Sequence, residues 1–248
     1  MSNMRIPALI VAAAALLSAA DVKDFSKTVS LDPKGRFSLD TYKGSIRITA
    51  WDQPQAEIRA RIEEDWGFHS VPVEDVEIRV DESAGNVRVK TDYHQHFSFT
   101  EGSLPLVHYT IRVPRGASLQ VKDYKSDSEI SGVQGEVGFE TYKGTARIEG
   151  IQGAFDLNTY RGDIRAIFAR FAGPSRIDTY KGTVDISLPR SSAFEIRADL
   201  QRHAEFDSDF PRTIHSTRRE SEVQGAVNGG GPALRVKSYK GNIRLRGI

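Results

Sequence analysis

Asp92, His94 and His96 alternate along one stretch, so their side chains fall on a single strand face. His108 lies on the next alternating stretch and would face them if that stretch returned as a hairpin partner. Imidazole and carboxylate in such a set suit zinc or copper. The simpler reading is the solvent face of a strand, which shows polar residues at every second position. On that reading the sequence calls for no metal and no cofactor. A second set is acidic: Asp40, Glu140 and Asp178 each precede a Thr-Tyr-Lys triplet, with Asn158 at the same place in another copy. Two carboxylates facing one sugar bond are the machinery of glycoside hydrolysis, and a carbohydrate-active β-solenoid enzyme is the reading they would support. Acids in a column beside basic side chains are more simply a charge ladder across strands. No nucleophile elbow, phosphate-binding glycine loop, paired zinc-cysteine motif or kinase motif occurs. The chain therefore reads as not an enzyme.

The third set is aromatic and it repeats. Thr141-Tyr142-Lys143-Gly144 returns as Thr159-Tyr160-Arg161-Gly162 and Thr179-Tyr180-Lys181-Gly182. Outlying copies are Thr41-Tyr42-Lys43-Gly44 and Ser238-Tyr239-Lys240-Gly241, and Asp123-Tyr124-Lys125-Ser126 is a degenerate one. The tyrosines at 124, 142, 160 and 180 are 18, 18 and 20 residues apart. Such spacing is one solenoid turn per copy. The candidate ligand-facing ladder is Tyr42, Tyr124, Tyr142, Tyr160, Tyr180 and Tyr239, with Lys43, Lys143, Arg161, Lys181 and Lys240 beside it. It reads either as rung-to-rung packing, with basic stems covering apolar surface, or as an aromatic platform for a glycan or surface polymer. Trp66 and Phe68 lie among acids where the alternation breaks, over residues 63–69, and form a candidate partner loop. Folding that loop back to close the core is the plainer use of both rings.

The elements that must position these residues are strands. Leu39, Val121, Phe139, Leu157, Ile177 and Val236 stand two residues before the Thr, Ser or Asp of the motif. Ile46, Ala146, Ile164, Val184 and Ile243 stand two after the glycine, so period-two alternation continues on both sides of a turn. The glycine suits positive φ or close backbone approach. The predicted fold is all-β: a parallel β-solenoid or β-roll with 18–20-residue coils over 117–248, continuous with an irregular, partly antiparallel strand region over 21–116. That first region contains one repeat-like unit, 36–50, and long strands joined by short turns. The 59 residues from Tyr180 to Tyr239 leave room for two degenerate coils between them. The last coil closes the chain abruptly, and a bare end of that kind predicts end-to-end self-association.

Residues 1–20 read as a secretory signal, with Arg5, an apolar run from Ile6 to Leu17 and Ser18-Ala19-Ala20 as a cleavage site. The mature chain is then expected to be exported, soluble, and periplasmic or extracellular, with no membrane span after signal removal. The formal charge is +1 from 34 basic and 33 acidic residues, which gives no electrostatic case for nucleic acid. There is no cysteine, so no disulfide holds the fold.

Val113-Pro114-Arg115-Gly116, the strand-turn-glycine units at 119–130, 137–148, 155–166 and 175–186, and the closing 231–241 stretch together resemble a bacterial adhesin-like family of unknown function. The resemblance covers the chain from about Gly35 onward. It implies β-strand repeats behind a signal peptide or membrane anchor, and an interaction module at the cell envelope whose partner is an envelope protein or surface polymer. It brings no catalytic residues with it.

Overall fold

The computed structural model describes residues 22–65, 71–93, 103–201, 203–210 and 222–248. Within these the chain forms one sheet of 17 strands, with a single 3-10 turn at Val73–Asp75. The fold is all-β and solenoid-like. Each coil is a strand, a bend at the tyrosine, and a second strand. In β10 (Val137–Ile151), β11 (Phe155–Phe168) and β12 (Ser175–Leu188) the strand runs through the bend unbroken. Elsewhere the two halves are separate strands: β2 (Arg36–Asp40) with β3 (Lys43–Trp51), β8 (Ser118–Asp123) with β9 (Lys125–Ser131), and β16 (Ala233–Ser238) with β17 (Asn242–Gly247).

Like residues stack on like because parallel pairing in register places equivalent positions one strand spacing apart. One core column runs Leu39, Val121, Phe139, Leu157, Ile177, Val236. The column past the bend runs Ile48, Ile130, Ile148, Ala166, Ile186, Leu245. All twelve side chains are buried and belong to a single hydrophobic cluster.

Spatial order departs from chain order at both ends. The β2–β3 coil lies between β8–β9 and a coil made of β6 (Asn86–Tyr93) and β7 (Leu106–Pro114). At the other end β16–β17 lies between β12 and the coil of β13 (Phe194–Leu200) and β14 (Glu205–Ser208). Each chain-terminal coil is thus second from its end of the stack.

Antiparallel strands cover these ends. β5 (Val76–Ser83) joins β6 through Ala84 and Gly85, whose φ values of 48° and 74° give the left-handed pair a tight hairpin wants. β4 (Gln55–Glu63) pairs with β7, and β1 (Val22–Ser30) pairs with β4. At the far end β15 (Glu222–Val227) pairs with β13.

Three expectations change. The strands around Asp92 and His108 are not hairpin partners; β6 and β7 are the two halves of one coil, each parallel to its neighbour. Among the described residues the Tyr180–Tyr239 interval holds one coil, β13–β14, and it stacks outside the last coil. The last coil is consequently interior, so the bare end that predicted self-association is not where the chain closes. Among the described residues no helix is long and apolar enough to cross a membrane.

Candidate functional site

The tyrosine at each bend has the parity opposite to its buried neighbour. Thr41, Asp123, Thr141, Thr159, Thr179 and Ser238 point inward and are at most 7% exposed, while the tyrosines turn out. Rung spacing then forces the rings into one row. Tyr42, Tyr124, Tyr142, Tyr160, Tyr180 and Tyr239 stack with centroids 4.6–4.8 Å apart and planes within 13° of parallel. The row is continuous although its members come from coils out of chain order. Tyr93 closes one end, edge-on to Tyr42 at 6.3 Å. Each stacked pair contributes about 0.5–1.5 kcal/mol beyond area burial. Burial, and then the neighbouring Tyr124 hydroxyl, raise the Tyr42 pKa. The ring faces are used up by this stacking. What remains open is a line of ring edges and hydroxyls, with Tyr142, Tyr160 and Tyr180 37–39% exposed.

The glycine of the motif is what lets the rungs close. A Cβ on Gly162 would sit 2.4 Å from the Gly144 carbonyl oxygen. At Gly182 it would sit 2.1 Å from the Gly162 oxygen, and φ there is 113°, a region L side chains avoid.

Beside the rings runs a second column, of cations. Lys43 and Lys125 are register partners, as are Lys143 with Arg161 and Arg161 with Lys181. The Lys240 N–H donates to the Tyr180 carbonyl, which extends the backbone ladder to the last coil. Lys125 completes this column; the serine in place of glycine at 126 obscured its membership. Lys43 differs from the rest. Its ammonium donates to Asp65 Oδ2 and to Ser103 Oγ, both at 2.7 Å, and it is largely buried. The Lys43 hydrogen bond and then that of Ser103 hold the Asp65 carboxyl below the usual range. Lys143 and Lys240 lie 5.3 and 5.6 Å from the ring centroids of Tyr142 and Tyr239.

The other candidates are dispersed. Asp92 pairs with Arg79 at 2.9 Å, and His108 Nδ1 bonds Ser45 Oγ at 2.9 Å. His94 and His96 lie outside the described residues, as do Trp66, Phe68 and the signal segment. Among the described residues no group of three or more metal-ligating side chains converges. Asp40, Glu140 and Asp178 share a column, but Lys122 stands between the first two and Asn158 between the last two. Glu140 pairs with Lys122 at 3.4 Å and Asp178 with Arg176 at 2.7 Å. No two of these acids sit on adjacent rungs, and the charge-ladder reading describes them.

One buried group escaped the sequence reading. Asp123 occupies the inward threonine column and is 5% exposed. Its Oδ1 accepts from Thr141 Oγ1 at 3.0 Å, and Oδ2 has no partner among the described residues. Burial pushes its carboxyl up to about 7, against the Thr141 and Ser126 hydrogen bonds, which lower it. The signal was available: it is the acid in a column otherwise made of Thr and Ser.

The coils that carry the stacked bends and inward threonines fall within residues 33–246, which match the model of a known family. The chain belongs to the Toastrack DUF4097 family. That bears out the adhesin-like resemblance drawn from the repeats. Among solved structures it is similar to a candidate cell adhesion protein of Clostridium sporogenes, at 9% identity and TM-score 0.48, covering 91% of this chain and all of that one. It is also similar to a candidate adhesin of Bacteroides fragilis, at 13% identity and TM-score 0.46, covering 91% of this chain and 97% of that one. No curated protein matches.

Proposed function

We propose that this Toastrack chain is an exported, non-catalytic interaction module of the bacterial cell envelope, and that the ridge of tyrosine edges and cations along its bends docks a surface polymer. One observation carries the reading: six tyrosines from six coils form one uninterrupted stacked row, with a cation at the next position of every coil. Packing alone accounts for the stack but not for its outward edge being polar and its flank being of one charge. A linear, repeating surface suits a linear, repeating partner.

The test is a binding screen of the mature chain against envelope polymers, with Tyr142, Tyr160 and Tyr180 replaced together by Phe. Phenylalanine keeps the stack and removes the hydroxyl row, so folding is expected to hold while polymer retention falls at least about tenfold, the order expected for losing a few hydrogen bonds. Retention unchanged in the folded variant would return the tyrosines to packing alone.

A further inference from the structure

We infer that the polymer the ridge takes is an anionic polysaccharide carrying one acidic group per sugar, gripped edge-on by charge and hydroxyls and not by stacking on ring faces. The inference rests on the proposed docking role and specifies its chemistry.

An aromatic platform holds a sugar by its apolar face, and that needs a free ring face. Here Tyr124, Tyr142, Tyr160 and Tyr180 are each covered on both faces by their neighbours at 4.6–4.8 Å. Neutral sugars would meet only a line of hydroxyls. The cations are another matter. Lys125, Lys143, Arg161, Lys181 and Lys240 follow one another one strand spacing apart, and among the described residues none makes an ion pair. Three acids have other hydrogen-bond partners, and Asp65 attracts Lys125 only at longer range. Asp65 holds Lys43, Asp127 accepts from Thr145 Oγ1 at 2.6 Å, and Asp163 accepts the Thr183 N–H at 2.9 Å.

Like charges directly opposite on neighbouring strands destabilise a sheet. This fold nevertheless lines up five of them without a carboxylate between, whereas its other outer columns mix signs, with opposite pairs such as Arg47–Glu129 and Lys122–Glu140 beside shorter like-charged runs such as Arg147–Arg165 and Arg176–Arg235. A row without ion pairs is complementary to a row of anions. A strand spacing of about 4.8 Å is also roughly the advance of one sugar along an extended polysaccharide. The Tyr142, Tyr160 and Tyr180 rungs then each offer one cation to a carboxylate and one phenol hydroxyl to a ring hydroxyl.

The experiment uses the full mature chain and a variant with Lys143→Gln, Arg161→Gln and Lys181→Gln. Both are titrated with a polyuronate, a neutral dextran, polyphosphate, single-stranded DNA and anionic phospholipid vesicles, and the thermal midpoint is read in each case. We expect polyuronate to bind the parent, to raise its midpoint by linkage, and to weaken at least about tenfold between roughly 0.05 and 0.5 M salt. The variant should lose that binding while unfolding at the same or a higher temperature, since relief of like-charge repulsion is all it gains. A purely structural lysine column would lower the midpoint instead and overturn the inference. Dextran binding that survives the triple replacement would overturn the anionic class and leave the docking ridge standing. Equal binding of polyphosphate, DNA or vesicles would overturn the polysaccharide class. No binding to any of them overturns both.

Discussion

Cutting the chain before Ala233 is expected to unfold far more than one coil. In a solenoid whose last coil is terminal, its loss removes one interface and leaves the rest standing. Here β16 and β17 lie between β12 and the β13–β14 coil, so their removal opens two interfaces at once. Leu234, Val236, Ile243 and Leu245 are all buried. At about 1.5–3 kcal/mol each, their contribution is comparable to the whole net stability of a domain. The contrasting variant deletes residues 193–232. That excision leaves 19 residues between Tyr180 and Tyr239, inside the natural repeat length, and keeps β16–β17 on β12. Urea denaturation followed by circular dichroism should show a cooperative transition for the excision and none for the truncation. The reverse result would mean that the last coil is peripheral.

Asp123→Thr should stabilise the protein, and the gain should grow with pH. The folded carboxyl titrates near 7, above its value of about 3.9 in an unfolded chain. Below about pH 4 both states hold the proton and the group costs nothing through linkage. As pH rises towards 7 the unfolded state ionises while the folded state does not, so stability falls, and it levels off above that. A shift of about three units corresponds to about 4 kcal/mol in full. Asp65 and Asp209 are shifted down and act in the opposite sense, so the difference between parent and variant is the quantity to follow. Threonine can take over both of the aspartate's bonds. The Thr91–Thr41 hydroxyl pair at 3.0 Å shows the column accepting a hydroxyl neighbour, and Ser238 Oγ accepts the Gly241 N–H at 2.9 Å from the equivalent position. The expected result is a variant about equal to the parent near pH 4 and several kcal/mol more stable at pH 8. A pH-independent difference would place the Asp123 charge in water.

The unit of this fold was legible in the sequence and the assembly was not. Alternation on either side of each Tyr-Lys pair requires a strand, a bend and a strand, and the same parity turns the threonines in and the tyrosines out in the structure. Stacking order is a different matter, because any coil with Leu, Val or Ile in the right columns satisfies any other. Nothing in Leu234-Arg235-Val236 says whether its outer neighbour is solvent or Ile196-Arg197-Ala198. The β6–β7 coil was missed for a related reason. Val87, Val89 and Thr91 fill the same columns as Phe37, Leu39 and Thr41, but no Tyr-Lys-Gly follows them. Without the motif, a run of alternating residues followed by another reads as a hairpin.

For the ridge, residue type and spacing named the tyrosines and most of the cations. The sequence did not show that the rings would cover one another's faces. That follows from flat, in-register parallel pairing, and it replaces an aromatic platform by a line of edges and charges.

The most direct test of the docking ridge is lysine acylation of the folded chain with and without polyuronate, read by mass spectrometry. The account predicts that Lys125, Lys143, Lys181 and Lys240 are protected together, while exposed Lys27 and Lys34, which lie off the ridge, react as before. Protection spread evenly over all these lysines, or confined to Lys27 and Lys34, would contradict it.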